Sequence, residues 1–157
     1  MSDYISIEAF YMVLFGTSAD NLDRDFITYV SRVLKEIERI YRETYNEIKN
    51  FMFSDYYRER MKSLTLEMFE SGEMSFPTDL IEQLGSFSHQ LGSKLQHLYE
   101  EVCSQVRSEF PELIEKPEYA RICSKKVFDV MASIVELYLY FEAYNTIKYD
   151  KEIFPWF

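Results

Sequence analysis

The sequence predicts an all-α protein, a single helical bundle of four to five helices, two or three of them long. Three observations carry this. Gly and Pro number only 4 each in 157 residues, too few turn formers for a many-stranded sandwich or barrel. Apolar residues recur at alternating steps of three and four over two long stretches, the stripe of a core-facing bundle helix. No stretch of useful length alternates apolar and polar residues as a strand does, and neither an internal repeat nor a low-complexity segment is visible. With 47% hydrophobic and 28% charged residues the chain has the composition of a folded domain. Chains of about 150 residues bury roughly 68–70% of their unfolded surface, enough for a sizeable core. Residues 1–152 are expected to form one bundle domain, and 153–157 an aromatic C-terminal tail.

The elements follow in order. Ile5 to Phe15 is a short apolar helix, ended by Gly16-Thr17-Ser18-Ala19-Asp20, where Ser18 or Asp20 is a candidate N-cap for the next helix. Phe26, Val30, Val33, Ile37, Ile40, Thr44 and Phe51 then form one seam, flanked by Leu34, Tyr41 and Ile48 and broken only by Glu47. Thirty helical residues span about 45 Å. Ser54-Asp55 either interrupts this helix or bends it, and Tyr56, Tyr57, Met61, Leu64, Met68 and Phe69 continue at helical spacing.

Ser71 to Pro77 is the clearest loop, and Pro77 suits the first turn of a new helix, where its missing N–H is not needed. Leu80, Leu84, Phe87, Leu91, Leu98, Val102 and Val106 give the second seam. Beside it Gly85, Ser88 and Gly92 form a small-residue patch, either a site of close backbone approach or a weak point costing about 1 kcal/mol per Gly relative to Ala. Pro111 and Pro117 bracket a linker. A last helix is expected from Pro117 to about Lys148, apolar around most of its circumference through Val127, Phe128, Val130, Met131, Ile134, Val135, Leu137, Tyr138, Leu139 and Phe141. Such a helix is either central in the bundle or covered by a partner. Asp129, Glu136 and Glu142 interrupt the Val127–Ile147 stretch, and each would cost roughly 2.5–3.5 kcal/mol at a bilayer centre, so it reads as a buried helix and no membrane is expected as a partner.

The formal charge of −10 is unevenly spread: Asn21–Lys62 carries +1, the chain from Ser63 onward −8 and residues 1–20 −3. An acidic domain has no general affinity for phosphate backbones, so nucleic-acid contact is confined to residues 24–62. There Arg32, Lys35, Arg39, Arg42 and Lys49 form a basic stripe behind the first seam. Glu36, Glu38, Glu43 and Glu47 are interleaved with it, and pairs such as Glu38/Arg42 and Arg39/Glu43 favour a salt-bridged solvent face. The chain begins without a basic n-region, and two cysteines make no disulfide framework. The expectation is a reducing, intracellular (cytoplasmic) compartment with Cys103 and Cys123 as free thiols.

Catalytic and cofactor chemistry find little support. Neither His89 nor His97 has the Glu three residues before it that a di-iron bundle requires. His97 and Glu101 are four apart, one two-ligand face, but the Leu84–Leu91–Leu98 seam turns both histidines away from the core. His89, Ser93 and His97 stack on one face without a third group or a glycine-rich nucleophile turn. Neither GxxxxGK[ST] nor GxGxxG occurs. The expectation is therefore no enzyme, no cofactor and no metal. The aromatic surplus, 13 Tyr, 13 Phe and 1 Trp, points to protein interfaces. Tyr138, Phe141, Tyr144, Phe154, Trp156 and Phe157 are the candidate partner-binding residues. Pro155 bars the tail from continuing a helix, so the tail either tucks into its own bundle or anchors in a partner, a protein or a second copy.

Residues 24–91 resemble the helical domain of the GINS replisome subunits, where a long helix leads to an Arg-containing helix, a short acidic gap and another helix. Here these read Asp25-Phe26, Tyr29-Val30 and Glu36-Ile37, then Ser54-Asp55-Tyr56-Tyr57-Arg58-Glu59-Arg60-Met61-Lys62-Ser63-Leu64, and after the Glu70–Phe76 gap Pro77-Thr78-Asp79-Leu80. The acidic pair that opens the family's following helix is reduced to Asp79, and helix stands where many members carry a small β-rich domain. The resemblance implies a non-catalytic scaffold in DNA replication that packs with sister subunits and couples a helicase to other factors. The leading expectation is an interaction or scaffold subunit of a larger assembly, and the alternative is a self-assembling structural subunit of a virion or filament.

Overall fold

A computed structural model describes residues 7–73 and 78–148, and among these the chain is all-α, without strands. Five helices of nine residues or more are α1 (Ile7–Phe15), α2 (Arg24–Met52), α3 (Asp55–Ser71), α4 (Thr78–Glu109) and α6 (Lys125–Lys148), with a single-turn helix α5 (Pro117–Ala120) before the last.

α2 starts where Asp23 caps it, its carboxylate accepting from the backbone N–H of Asp25 (3.0 Å) and Phe26 (3.2 Å). The expectation of Ser18 or Asp20 as this cap is corrected: Ser18 precedes only a 3₁₀ turn, Ala19–Asn21, in which Asp20 lies. Tyr119, 96 residues on, accepts from the Asp23 N–H (2.8 Å) and helps fix the start. At its far end α2 breaks. Phe53 leaves helical geometry, and the Ser54 hydroxyl accepts from the Tyr57 N–H (3.2 Å) to open α3. α3 ends on Gly72 at φ 73°, a left-handed cap that favours glycine. Pro77 lies outside the described residues.

α2 and α4 run antiparallel, with Tyr29 donating to Gln105 (3.1 Å), Lys94 reaching Glu43 (3.6 Å) and Phe51 against Phe87 (5.8 Å between ring centres). α6 returns antiparallel to α4, with Lys125 donating to Gln96 (2.6 Å), the Tyr99 and Phe128 rings tilted against each other (4.8 Å) and Tyr140 donating to the Leu84 carbonyl (3.3 Å). It therefore lies parallel to α2, where Tyr45 and Thr146 share a 2.7 Å hydrogen bond. α1 is held from a distance: Arg121 donates to the Val13 (3.0 Å) and Leu14 (3.3 Å) carbonyls at its C-terminal end.

The main core runs between α1, α2, α4 and α6. One end is an aromatic cluster in which Phe26 meets Phe15 (5.4 Å), Phe110 (5.4 Å) and Tyr119 (5.0 Å) edge-on. Both predicted seams pack on the core, with Val33, Phe51, Leu84 and Leu98 partly buried and Leu95 added to the second. α3 stands apart on a smaller cluster of Tyr57, Leu64 and Leu80 and is tied to α4 by Arg60–Asp79 (3.0 Å).

Two further expectations are corrected. Gly85 and Gly92 face open space, so the small-residue patch is not a site of close backbone approach. The last helix does not run unbroken from Pro117: α5 lasts one turn, a 3₁₀ turn at Arg121–Cys123 follows, and α6 restarts after Ser124.

Candidate interaction surface

α6 carries two apolar rows. Phe128, Met131, Val135, Leu139 and Ala143 are buried against the bundle. Val130, Ile134, Leu137, Phe141 and Tyr144 recur at steps of 4-3-4-3 along a second line. On that line Val130 is 53% exposed, Leu137 69%, Phe141 49% and Tyr144 57%, while Ile134 is half-buried. Helical rise places Val130 and Tyr144 about 21 Å apart. A shallow open depression lined by Asp129, Val130, Ser133, Ile134 and Leu137 lies at the N-terminal half of the row, where the small Ser133 leaves room beside larger neighbours. The helix is thus not central. One of its faces is in the core and another meets solvent.

This row is chemically unlike the outer face of α2. There Arg39 bridges Glu36 and Glu43 (2.6 Å to the latter), and Arg42 pairs with Glu38 (3.1 Å). The Arg39 hydrogen bond holds the Glu36 carboxyl below its usual range. Two of the five residues of the basic stripe, Arg39 and Arg42, are salt-bridged, and Arg32, Lys35 and Lys49 are exposed along the same helix.

Of the candidate partner-binding residues, Phe141 and Tyr144 lie on the exposed row. Tyr138 is half-buried against the main core, and Phe154, Trp156 and Phe157 lie outside the described residues. Sequence reasoning did not single out Val130 and Leu137 as contacts. Their signal was the seven-residue step Val130–Leu137–Tyr144, hidden within a helix apolar on most sides.

A polar spot lies toward the C-terminal end of α6. Glu142 is half-buried, one of its carboxylate oxygens has no hydrogen-bond partner, and burial pushes its carboxyl up from the usual range. Tyr41, on α2, likewise has a buried hydroxyl without a partner. On α4, His89, Ser93 and His97 are exposed, and His97 sits 3.2 Å from Glu101 at the surface. Among the described residues no three His, Cys, Asp or Glu side chains are grouped to hold a metal ion, and no helix is long and apolar enough to cross a membrane.

Comparison with known protein families, with curated proteins and with solved structures finds no match to this chain.

Proposed function

We propose that this chain is a non-enzymatic interaction subunit, a helical scaffold that joins a larger assembly through the outer row of α6. The observation that carries the reading is the row itself: Val130, Leu137 and Tyr144, each more than half exposed, at the seven-residue step that suits packing against another helix. A lone exposed Leu needs no explanation, whereas an ordered apolar line about 21 Å long is the kind of surface that marks an interface. The aromatic content of the row and of the segment after it fits hot-spot chemistry. Within this class, the resemblance of residues 24–91 to GINS subunits supports a replication scaffold, and the two free cysteines suit a reducing, cytoplasmic setting.

The test compares the full chain with Leu137→Glu. Each is tagged and purified from its native host, bound proteins are identified by mass spectrometry, and folding is checked by circular dichroism. The reading expects a defined set of partners on the full chain that is lost from an equally helical Leu137→Glu. Helicase or sister scaffold subunits in that set would favour the replication role. Partners that bind both forms alike, or a full chain that sediments as a monomer with none, would overturn the proposal.

A further inference from the structure

We propose that Cys103 and Cys123 are a latent redox pair, which a small-molecule disulfide converts into an intramolecular disulfide bridge between α4 and the turn that leads into α6. The inference is independent of the interaction surface. It starts from placement. Cys103 is buried in the second half of α4, and its thiol points at the backbone of the Arg121–Cys123 turn, 3.9 Å from the Ile122 carbonyl. Cys123 is the next residue and half-buried. The turn is pinned at this spot, because Tyr99, one helical turn before Cys103, donates to the Cys123 carbonyl (2.6 Å). Ile122 is buried in the main core. Two thiols on separate elements are thereby brought to neighbouring positions, the Cys103 thiol lying against the residue that precedes Cys123.

A core that needed only small apolar groups here could use Ala or Val on either side. Paired thiols add a chemistry those residues lack. The exchange begins at Cys123, the more accessible of the two. Its thiolate attacks one sulfur of the small disulfide, forms a mixed disulfide and expels one thiolate. The Cys103 thiolate then attacks the Cys123 sulfur, closes the protein bridge and expels the second. The two thiol protons end on the two expelled thiolates. The protein loses two electrons and two protons, and the small disulfide is reduced to two thiols.

Burial and the neighbouring Cys103 push the Cys123 thiol up to about 12. Attack therefore draws on a small thiolate fraction, so the pair closes slowly at neutral pH. Closure restrains the chain between the two residues in the unfolded state, which corresponds to a rise in Tm of roughly 6–12 °C.

The test incubates the full, native chain with oxidised glutathione at pH 8, then traps free thiols with an alkylating agent and measures the intact mass. The expected result is a monomer lighter by about 2 Da that takes up no alkylating agent, has a higher Tm and returns to its starting mass with a reductant. Non-reducing peptide mapping is expected to join the peptides that contain Cys103 and Cys123. Cys123→Ser, at the half-buried position, should remain open, and Cys103→Ala covers the case where Ser disturbs the core. A persistent glutathione adduct, a disulfide-linked dimer, or a bridge that forms only after denaturation in urea would each overturn the proposal.

Discussion

Leu137 and Leu139 are two residues apart on α6 and stand in opposite environments, one 69% exposed and the other fully buried. Truncating each to Ala gives a direct test of which faces of this helix the folded chain covers. Leu139→Ala removes about three methylene equivalents from the core at about 0.8 kcal/mol each, roughly 2.4 kcal/mol, and the cavity left in the core raises the cost to about 3 kcal/mol. For a chain of this size that lowers Tm by roughly 6–12 °C. Leu137→Ala removes a side chain that water already reaches, and Ala is the stronger helix former, so its effect should lie within about 0.5 kcal/mol of zero. Urea unfolding followed by circular dichroism measures both, and an unchanged dependence on urea shows that the comparison is between like states. The reasoning is refuted if Leu137→Ala costs more than about 1.5 kcal/mol, since the outer row would then be covered in the isolated chain. Repeating the measurement across protein concentrations would tell a covering segment of the same chain from a second copy.

Three more predictions rest on single contacts. Burial raises the Glu142 carboxyl in the folded state, so ionising it costs stability as pH rises from the unfolded value of about 4.3 through the raised folded one. Glu142→Gln should therefore be more stable than the parent chain at pH 7 and lose that advantage at pH 4, and an equal urea midpoint difference at both would count against the assignment. Arg121→Ala leaves the last carbonyls of α1 without their donor and should cost about 1 kcal/mol, a modest figure because the guanidinium is partly in water. Hydrogen exchange should show faster opening of α1 with α4 unchanged, and Arg121→Lys should recover only part, since an ammonium lacks the planar fork. Asp23→Ala removes the cap of α2 and should cost about 1 kcal/mol, whereas Ser18→Ala, which loses no such bond, should be nearly silent in the same denaturation assay.

The two long helices were legible because their apolar residues keep helical spacing for many turns, and burial follows that pattern from Phe26 to Ile48 and from Leu80 to Val106. The ends were less legible. Ser18, Asp20 and Asp23 are all good caps by residue type, and the choice among them involves Tyr119, whose hydroxyl meets the Asp23 N–H from 96 residues away. The same holds for the start of α6. Pro117 opens a helix as its type suggests, but Tyr119 is committed to Asp23, Arg121 to the end of α1 and Ile122 to the core. These long-range commitments accompany the one-turn helix, and Ser124 provides a second start, its hydroxyl accepting from the Val127 N–H (3.4 Å). Spacing along the chain carries no record of such partners.

The candidate surface was half legible for a related reason. A helix apolar on most sides is compatible with a central position or with a partner, and composition does not separate the two. Placement in the fold does. α1, α2 and α4 take the row from Phe128 to Ala143, and Val130, Leu137 and Tyr144 stay more than half exposed. α2 shows how this chain builds a charged outer face, with Glu36, Arg39 and Glu43 in a salt-bridged line. On α6 the five positions of the outer row include no charged residue at all, although Asp129 and Glu136 occur one step to the side. Solubility alone would be better served by the α2 solution, because an ordered apolar row invites association. The contrast between two outer faces of one bundle is therefore what separates the α6 row from ordinary scattered surface apolarity, and it is what supports the proposal that a partner helix docks there.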